Sequence, residues 1–209
     1  MGRNILVVNA HPDADPARFC AALASAYAEG ARAAGHRVEE IALGRGISSG
    51  GRDPFALGRL DVPLLRRKAD YERGEVPAGL RASQEALRDA EHLVLIFPLW
   101  LGTMPASTKA WLEQVLRPGF AWEGEAASGR SRARLAGRSA RLVVTMGMPA
   151  LVYRWWFGAH GLRGLEHNVL RFVGLRPVRT TLVGRVDAIG DARRRAWLEH
   201  LRALGRAAR

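Results

Sequence analysis

His92-Leu93-Val94-Leu95-Ile96-Phe97-Pro98-Leu99-Trp100-Leu101-Gly102-Thr103-Met104-Pro105 divides into three pieces, and their order decides the fold. His92 to Phe97 is an apolar run with the length and composition of a strand buried on both faces. Pro98 ends the ladder, because it has no N–H to give and biases Phe97 towards an extended conformation. Leu99 to Met104 is then a loop with large apolar side chains that it has few ways to bury internally. Pro105 suits the first turn of a helix, and Ala106 to Leu116 continues at helical spacing with Ala110, Trp111 and Val115. Strand, apolar loop, helix is how an open α/β sheet builds a ligand crevice at the carboxyl edge of its strands. Leu, Trp, Leu and Met in that loop suit a flat apolar ligand. An ordinary connection whose Trp100 packs into the core fits these residues equally well.

Outward from this stretch the pattern repeats. Asn4 to Asn9 is a second short apolar run, followed by the loop Ala10 to Ala17 and a helix over Pro16 to Ala34, with Phe19, Leu23 and Tyr27 four apart and Gly35 as its stop. Val38 to Leu43 alternates as a strand. Strand, helix and strand in this short span make a βαβ unit, which predicts a parallel sheet with a right-handed crossover. Leu80 to Asp89 reads as a helix. Arg141 to Met146 is a further strand, Leu162 to Val173 a helix, Val178 to Val186 a weaker strand at or near an edge, and Asp191 to Ala207 a closing amphipathic helix. Gly44 to Gly79 is an irregular excursion: Gly46 to Gly51 is expected to be flexible, and Asp61 to Leu65 with Asp70 to Glu72 to fold over the sheet's edge. A polar Gly/Ser/Arg-rich loop is expected over Gly124 to Gly137. Five strands alternating with helices suit one domain over residues 1–209, an α/β doubly wound parallel sheet of flavodoxin-like type. Its strand order is then 2-1-3-4-5, with helices on both faces and the ligand at the switch point beside strand one.

The totals narrow the function. The chain has 209 residues, 48% apolar and 25% charged, ordinary for a globular protein with a substantial core. Cys20 is the single cysteine, so no internal disulfide forms. Ile5 to Val8 is too short for a signal peptide's apolar region and Leu93 to Met104 too short for a membrane span, so a cytoplasmic location is expected. Net charge is +12, and only Lys68 and Lys109 are lysines. The arginines run along the whole chain, with denser groups at Arg59 to Lys68, Arg130 to Arg141 and Arg193 to Arg195. Nucleic-acid binders instead concentrate charge on one element with interleaved aromatics, so no nucleic-acid partner is expected. A basic field also serves a ligand that carries phosphate.

Common motifs are missing. There is no G-x-G-x-x-G after the first strand, no P-loop, no nucleophile elbow, and no spacing of His or Cys suited to a metal. Cys20 on its helix reads as a packing residue rather than a nucleophile. Three loops at one sheet edge remain. The first, His11 to Cys20, ends at a helix N-terminus, where free N–H groups and the helix dipole favour phosphate; His11 and Arg18 add charge. The second, Pro98 to Gly102, offers N–H groups and an apolar shelf. The third, Thr145 to Met148, has Gly147, where main chain comes close to a ligand. Together they suit a phosphate at one end and a planar ring at the other. His11 as a turn cap, Arg18 as a solvated side chain and Gly147 as a turn residue are the plainer roles.

The same residues carry a resemblance. His11-Pro12, Phe97 to Ala106 followed by Lys109 to Glu113, Gly119-Phe120-Ala121-Trp122, Thr145-Met146-Gly147 and Tyr153 with His160-Gly161 resemble the NAD(P)H:quinone reductase (DT-diaphorase-like) branch of the flavodoxin-like fold flavoproteins, over most of Ile5 to Arg185. That resemblance implies a homodimer binding FMN or FAD, which takes hydride from NAD(P)H and gives two electrons to a quinone or related small-molecule acceptor in ping-pong fashion. It implies cofactor contacts at His11, Arg18, Phe19 and Cys20 for the phosphate, and at Pro98, Leu99, Trp100 and Leu101 for the N5 and O4 edge of the ring. Thr145, Met146 and Gly147 would face N1 and O2. Tyr153 and His160 are the implied catalytic pair, assisting the charge that develops at that edge, and Phe120 and Trp122 line the acceptor pocket across the dimer. The chain departs from the pattern in its first loop, where Arg18 stands in place of a Ser or Thr, Asp13 and Asp15 are present, and the loop is longer. The alternative is a regulatory flavoprotein subunit docked on a potassium-efflux transporter, to which relatives of this family attach.

Overall fold

The computed structural model describes residues 2–44, 46–48, 62–124 and 131–209, with 46–48 as backbone. In chain order the elements are β1 (Asn4–Asn9), α1 (Phe19–Ala33), β2 (Arg37–Ala42), β3 (Gly46–Ser48), α2 (Lys68–Glu72), α3 (Ala78–Asp89), β4 (His92–Pro98) and α4 (Ala106–Val115). They continue with β5 (Trp122–Glu123), β6 (Arg132–Ala133), β7 (Ser139–Thr145), α5 (His160–Gly164), β8 (Val178–Val183) and α6 (Asp191–Arg206). The main sheet runs β3-β2-β1-β4-β7-β8, while β5 and β6 form a separate ribbon. Five strands are parallel in the expected 2-1-3-4-5 order, and β8 is an edge strand as its mixed composition predicts.

Strand β3 was not anticipated. It pairs antiparallel with β2, Ala42 opposite Gly46, and so gives main-chain partners to an edge that would otherwise stay open. Ser49 to Gly51, half of the Gly46–Gly51 run, together with Asp61, fall outside the described residues. The later part of the excursion reaches the core through Val62 and Val76. It packs on the far end of α4, where Gln114 Nε2 donates to Pro63 O (2.7 Å) and the Tyr71 hydroxyl to Leu116 O (3.0 Å). Buried Arg117 donates to Asp70 O (2.6 Å) and Gly74 O (2.8 Å). Carbonyls at a helix end have no partner within the helix, and this strap supplies and takes such bonds.

Alternation along the strands builds two cores. Ile5, Val7, Val94, Ile96 and Val143 face α1 and α6; Leu6, Val8, Leu93, Leu95, Phe97 and Val144 face α3 and α4. Every residue of β4 is buried, as the unbroken apolar run requires of a central strand. The helix pair α1 and α6 touches through glycine: a Cβ on Gly30 would lie 2.1 Å from Arg202 O, and one on Gly205 2.1 Å from Tyr27 O. The helix expected over Leu162 to Val173 is instead α5 followed by π-helical turns over Leu165–Leu170, with Arg171 N–H reaching Glu166 O at 2.9 Å. A similar turn covers Val152–Trp156. Apolar spacing does not separate i+4 from i+5 bonding over so few residues.

Candidate functional site

Strands β1 and β4 are neighbours, and the loops that leave them flank the point where strand order reverses. The first loop is closed by a relay of side-chain acceptors two residues apart. Asn9 Oδ1 accepts from His11 N–H (3.3 Å), His11 Nδ1 from Asp13 N–H (3.0 Å), Asp13 Oδ1 from Asp15 N–H (3.0 Å) and Asp15 Oδ1 from Ala17 N–H (2.9 Å). Arg18 grips Asp13 Oδ2 through Nε at 2.7 Å, so this carboxylate and this guanidinium neutralise each other. The Asp15 N–H bond, then Arg18, hold the Asp13 carboxyl below its usual range. Thr108 donates to Ala10 O (3.1 Å), tying the loop to α4.

Helix α1 then starts without a side-chain cap and without an acidic residue in its first turn. Ala21 and Ala22 N–H return to Arg18 O; those of Phe19 and Cys20 have no partner among the described residues. These two groups are what a phosphate needs. The Cys20 side chain points elsewhere: it is buried, its Sγ lies 3.3 Å from Thr145 Oγ1, and burial pushes the thiol up to about 11. It packs, as expected.

In the second loop Trp100 and Thr103 bond each other twice (Trp100 N–H to Thr103 O 2.9 Å, the reverse 3.0 Å), with left-handed Leu101 (φ 47°) and Gly102 (φ 79°) between them. Two successive residues at positive φ make a type I′ turn. Gly102 adopts this without cost; Leu101 does not. The Leu101 side chain is nonetheless fully exposed and Trp100 is 49% exposed, so neither serves the core. Trp100 therefore stands on the rim, its ring 6.2 Å from that of His11 and nearly perpendicular to it. Leu99 N–H is committed to Thr145 O (2.7 Å), and Pro98 closes β4 opposite Thr145. The donors left without a partner among the described residues are the N–H groups of Leu101 and Gly102.

The third loop offers less than its composition suggests. Thr145 is buried in the ladder and Met146 N–H is bonded to Val183 O (2.9 Å), which leaves the N–H groups of Gly147 and Met148 without a partner among the described residues. A Cβ on Gly147 would lie 2.6 Å from Asp187 Oδ2, so the glycine makes room for a carboxylate from the loop after β8. Arg194, at the start of α6, sits 5.1 Å from the centre of the Phe19 ring. Asp187 and Arg194 escaped sequence reasoning, although a fifth parallel strand followed by a helix requires a fourth loop at this same rim.

Tyr153 and the turn meet directly. Its ring is buried and its hydroxyl donates to Gly102 O (3.0 Å), while Gly161 packs so close that a Cβ there would lie 2.4 Å from the same oxygen. Burial raises the Tyr153 hydroxyl. His160 is exposed, turned back over Gly158 by the left-handed pair Gly158 and Ala159. Burial lowers the His11 ring, whose Nδ1 accepts from Asp13 N–H and leaves Nε2 as the donor.

A family model describing a flavodoxin-like fold matches residues 3–206. The chain belongs to the flavodoxin-like fold family. A Haemophilus influenzae Rd protein named "Uncharacterized NAD(P)H oxidoreductase" is 26% identical to this flavodoxin-like chain over 172 residues, 80% of this chain and 83% of that one. Human ribosyldihydronicotinamide dehydrogenase [quinone] is 28% identical over 145 residues, 64% of this chain and 61% of the human protein. Among solved structures, the NAD(P)H:quinone oxidoreductase of Methanothermobacter marburgensis matches over 100% of both chains with TM-score 0.76 at 22% identity, a likeness of fold.

Two expected site residues of this flavodoxin-like chain lie away from the rim. Helix α4 runs from the carboxyl edge to the opposite one, and the Phe120 ring sits beneath Arg88 of α3, 5.3 Å away. Trp122 donates to the Tyr71 hydroxyl (3.3 Å) and packs edge-on against Phe172 (5.6 Å). One chain does not bring either residue to the three loops. No group of three or more potential metal-ligating side chains occurs among the described residues, and no described helix is long and apolar enough to cross a membrane.

Proposed function

We propose that this rim binds a flavin, FMN or FAD, and that the protein is an NAD(P)H oxidoreductase that reduces a quinone or related acceptor. The observation that carries this is the Trp100–Thr103 turn: strained, solvent-facing, with an apolar shelf and two unpartnered N–H groups, beside an uncapped helix N-terminus. The turn suits the edge of a planar heterocycle and the helix end its phosphate, and the names of the sequence relatives supply the nicotinamide and quinone chemistry. The residues fit such a group. Asp13 does not oppose a phosphate, because Arg18 already neutralises it; phosphate is left to Phe19 and Cys20 N–H.

When bound, a flavin supplies a relay for two electrons between nicotinamide and acceptor. Around it, Leu101 and Gly102 N–H orient the ring edge and Trp100 shields its face from water. Gly147 N–H would be a fixed donor for the negative charge that a flavin gains on reduction, at no cost in reorganisation. Tyr153 holds the turn through Gly102 O, and His160 is the exposed proton carrier beside it. One stacking face shared by nicotinamide and acceptor in turn gives ping-pong kinetics.

The site is completed in this proposal by a second copy. Leu151, Trp155 (77% exposed), Trp156 (84% exposed) and Phe157 are exposed apolar side chains in the segment that Tyr153 bonds to the turn, of the kind that marks an interface. A homodimer would bring one copy's Trp122 towards the other's turn. Initial rates of NADH or NADPH oxidation at several quinone concentrations test the reading: parallel double-reciprocal lines are expected, and no turnover by flavin-loaded protein would contradict it. Sedimentation of the same sample is expected to show a dimer.

A further inference from the structure

Beside α4 lies a hollow of about 470 Å³, within the range of small-molecule sites. Its walls are apolar and partly aromatic: Tyr71, Leu112, Trp122, Val169 and Phe172. It begins at Lys109, one turn past the second loop, and is roofed by the strap that Arg117, Tyr71 and Gln114 bond to the end of α4. The space is therefore preformed by hydrogen bonds from side chains to main-chain carbonyls rather than left by loose packing.

Its charge is one-sided. Lys109 is neutralised by Glu113 within the wall. Arg66 and Arg67 also line the hollow, are exposed, and make no ion pair or side-chain hydrogen bond among the described residues. A second hollow of about 390 Å³ shares Asn168 and Phe172 with the first and is lined by His167, Arg171 and Arg176. Arg171 is held by Glu166, while Arg176 has no side-chain partner among the described residues. An aromatic floor thus lies between the unpaired guanidinium groups of Arg66 and Arg67 and that of Arg176, and no unpaired carboxylate among the described residues lines either hollow.

We infer that this hollow takes planar aromatic compounds carrying an anionic group (carboxylate, sulfonate or phosphate), the ring on Trp122 and Phe172 and the anion on Arg66 and Arg67. Guanidinium groups donate in a fork that matches such anions, and a partly desolvated pocket strengthens the pairing. That the bound compound is the electron acceptor rests on the flavin reading above. Reduction of an anionic naphthoquinone would then add one hydride from NAD(P)H and one proton from solvent, leaving hydroquinone and NAD(P)+ with the anionic group untouched.

Calorimetric titration of the purified full chain with naphthalene-2-sulfonate and with neutral 2-naphthalenemethanol tests this. The sulfonate is expected to bind about tenfold more tightly at low salt, a preference equal to about 1.4 kcal/mol. It should weaken with added salt while the alcohol does not. Arg66→Gln/Arg67→Gln is expected to abolish the preference, whereas Arg193→Gln/Arg195→Gln, which removes the same charge from an exposed face of α6, keeps it. Phe172→Ala should weaken both probes. Equal affinities in the starting protein, or a preference that survives the Arg66/Arg67 double substitution, would overturn the inference. The flavin reading is separable on the same preparation. Colourless protein with an Arg66/Arg67-dependent preference keeps the anion site and loses the redox reading. Yellow protein that turns over 2-methyl-1,4-naphthoquinone without any preference does the reverse.

Discussion

Tyr153 and His92 show how differently two buried polar side chains bear on this molecule. The Tyr153 hydroxyl fixes Gly102 O, and through it a turn whose Leu101 is held in a left-handed conformation. Such strain, on the order of 1 kcal/mol, persists only where surroundings enforce it. Tyr153→Phe is expected to lower stability by about 1 kcal/mol and to weaken flavin binding several-fold, read by thermal melting and by flavin titration; unchanged flavin affinity would free the turn from this tether. His92 lies at the opposite end of the sheet. Its Nδ1 is 2.7 Å from Ser139 Oγ, its Nε2 makes no hydrogen bond among the described residues, and it stacks on Tyr27. Burial first, then the charges of Arg3, Arg141 and Arg179, press its pKa down to about 3. Because the folded value lies below the unfolded 6.5, the unfolded chain binds a proton that the folded one refuses. Its contribution is complete above pH 6.5 and is lost as pH falls from there towards 3. Urea midpoints should therefore drop between pH 7 and 5.5 by the equivalent of about 1 kcal/mol, and His92→Gln should flatten that slope.

Among the elements, those whose partner faces are set by sequence period were legible, and those set by contact geometry were not. The unbroken run Leu93 to Phe97 named the central strand, and Phe19, Leu23 and Tyr27 named α1, since burial on two faces or on one stripe leaves that trace. Strand β3 leaves none, being three residues long and held only by pairing with β2. The π-helical turns after Gly164 carry the apolar spacing of an ordinary helix and so read as one. Gly30 and Gly205 are also invisible to periodicity, yet they set how near α1 and α6 approach. Gly30→Ala would push a methyl group into Arg202 O, at a cost of about 1–3 kcal/mol and a fall in melting temperature of roughly 2–4 °C per kcal/mol. Gly79→Ala in α3, where a Cβ meets nothing within 4 Å, should instead stabilise by about 0.5–1 kcal/mol.

At the scale of the whole molecule, topology places the site and chain order hides part of it. The loops after β1, β4 and β7 were expected to share one rim, because parallel strands all leave at the same edge, and they do. The composition of those loops did not show which N–H groups are already committed: Leu99 and Met146 are spent inside the sheet's own bonding. Nor does apolar spacing show that α4 carries Phe120 and Trp122 to the opposite end, where one chain keeps both away from the three loops. The His11 to Arg18 loop, with two carboxylates where a phosphate is expected, becomes consistent with one only when Arg18 is seen gripping Asp13. The claim on which the account turns is that this rim holds an isoalloxazine. It is tested most directly by the visible absorption of the purified full chain, followed by titration with FMN and FAD. The account predicts protein that is yellow or becomes so at one flavin per chain, with bound-flavin bands shifted from those of free flavin and lost in Leu101→Pro, which removes a donor N–H and whose ring forbids the positive φ that the turn requires. Protein that stays colourless, with added flavin spectrally unchanged at saturating concentration, would contradict it.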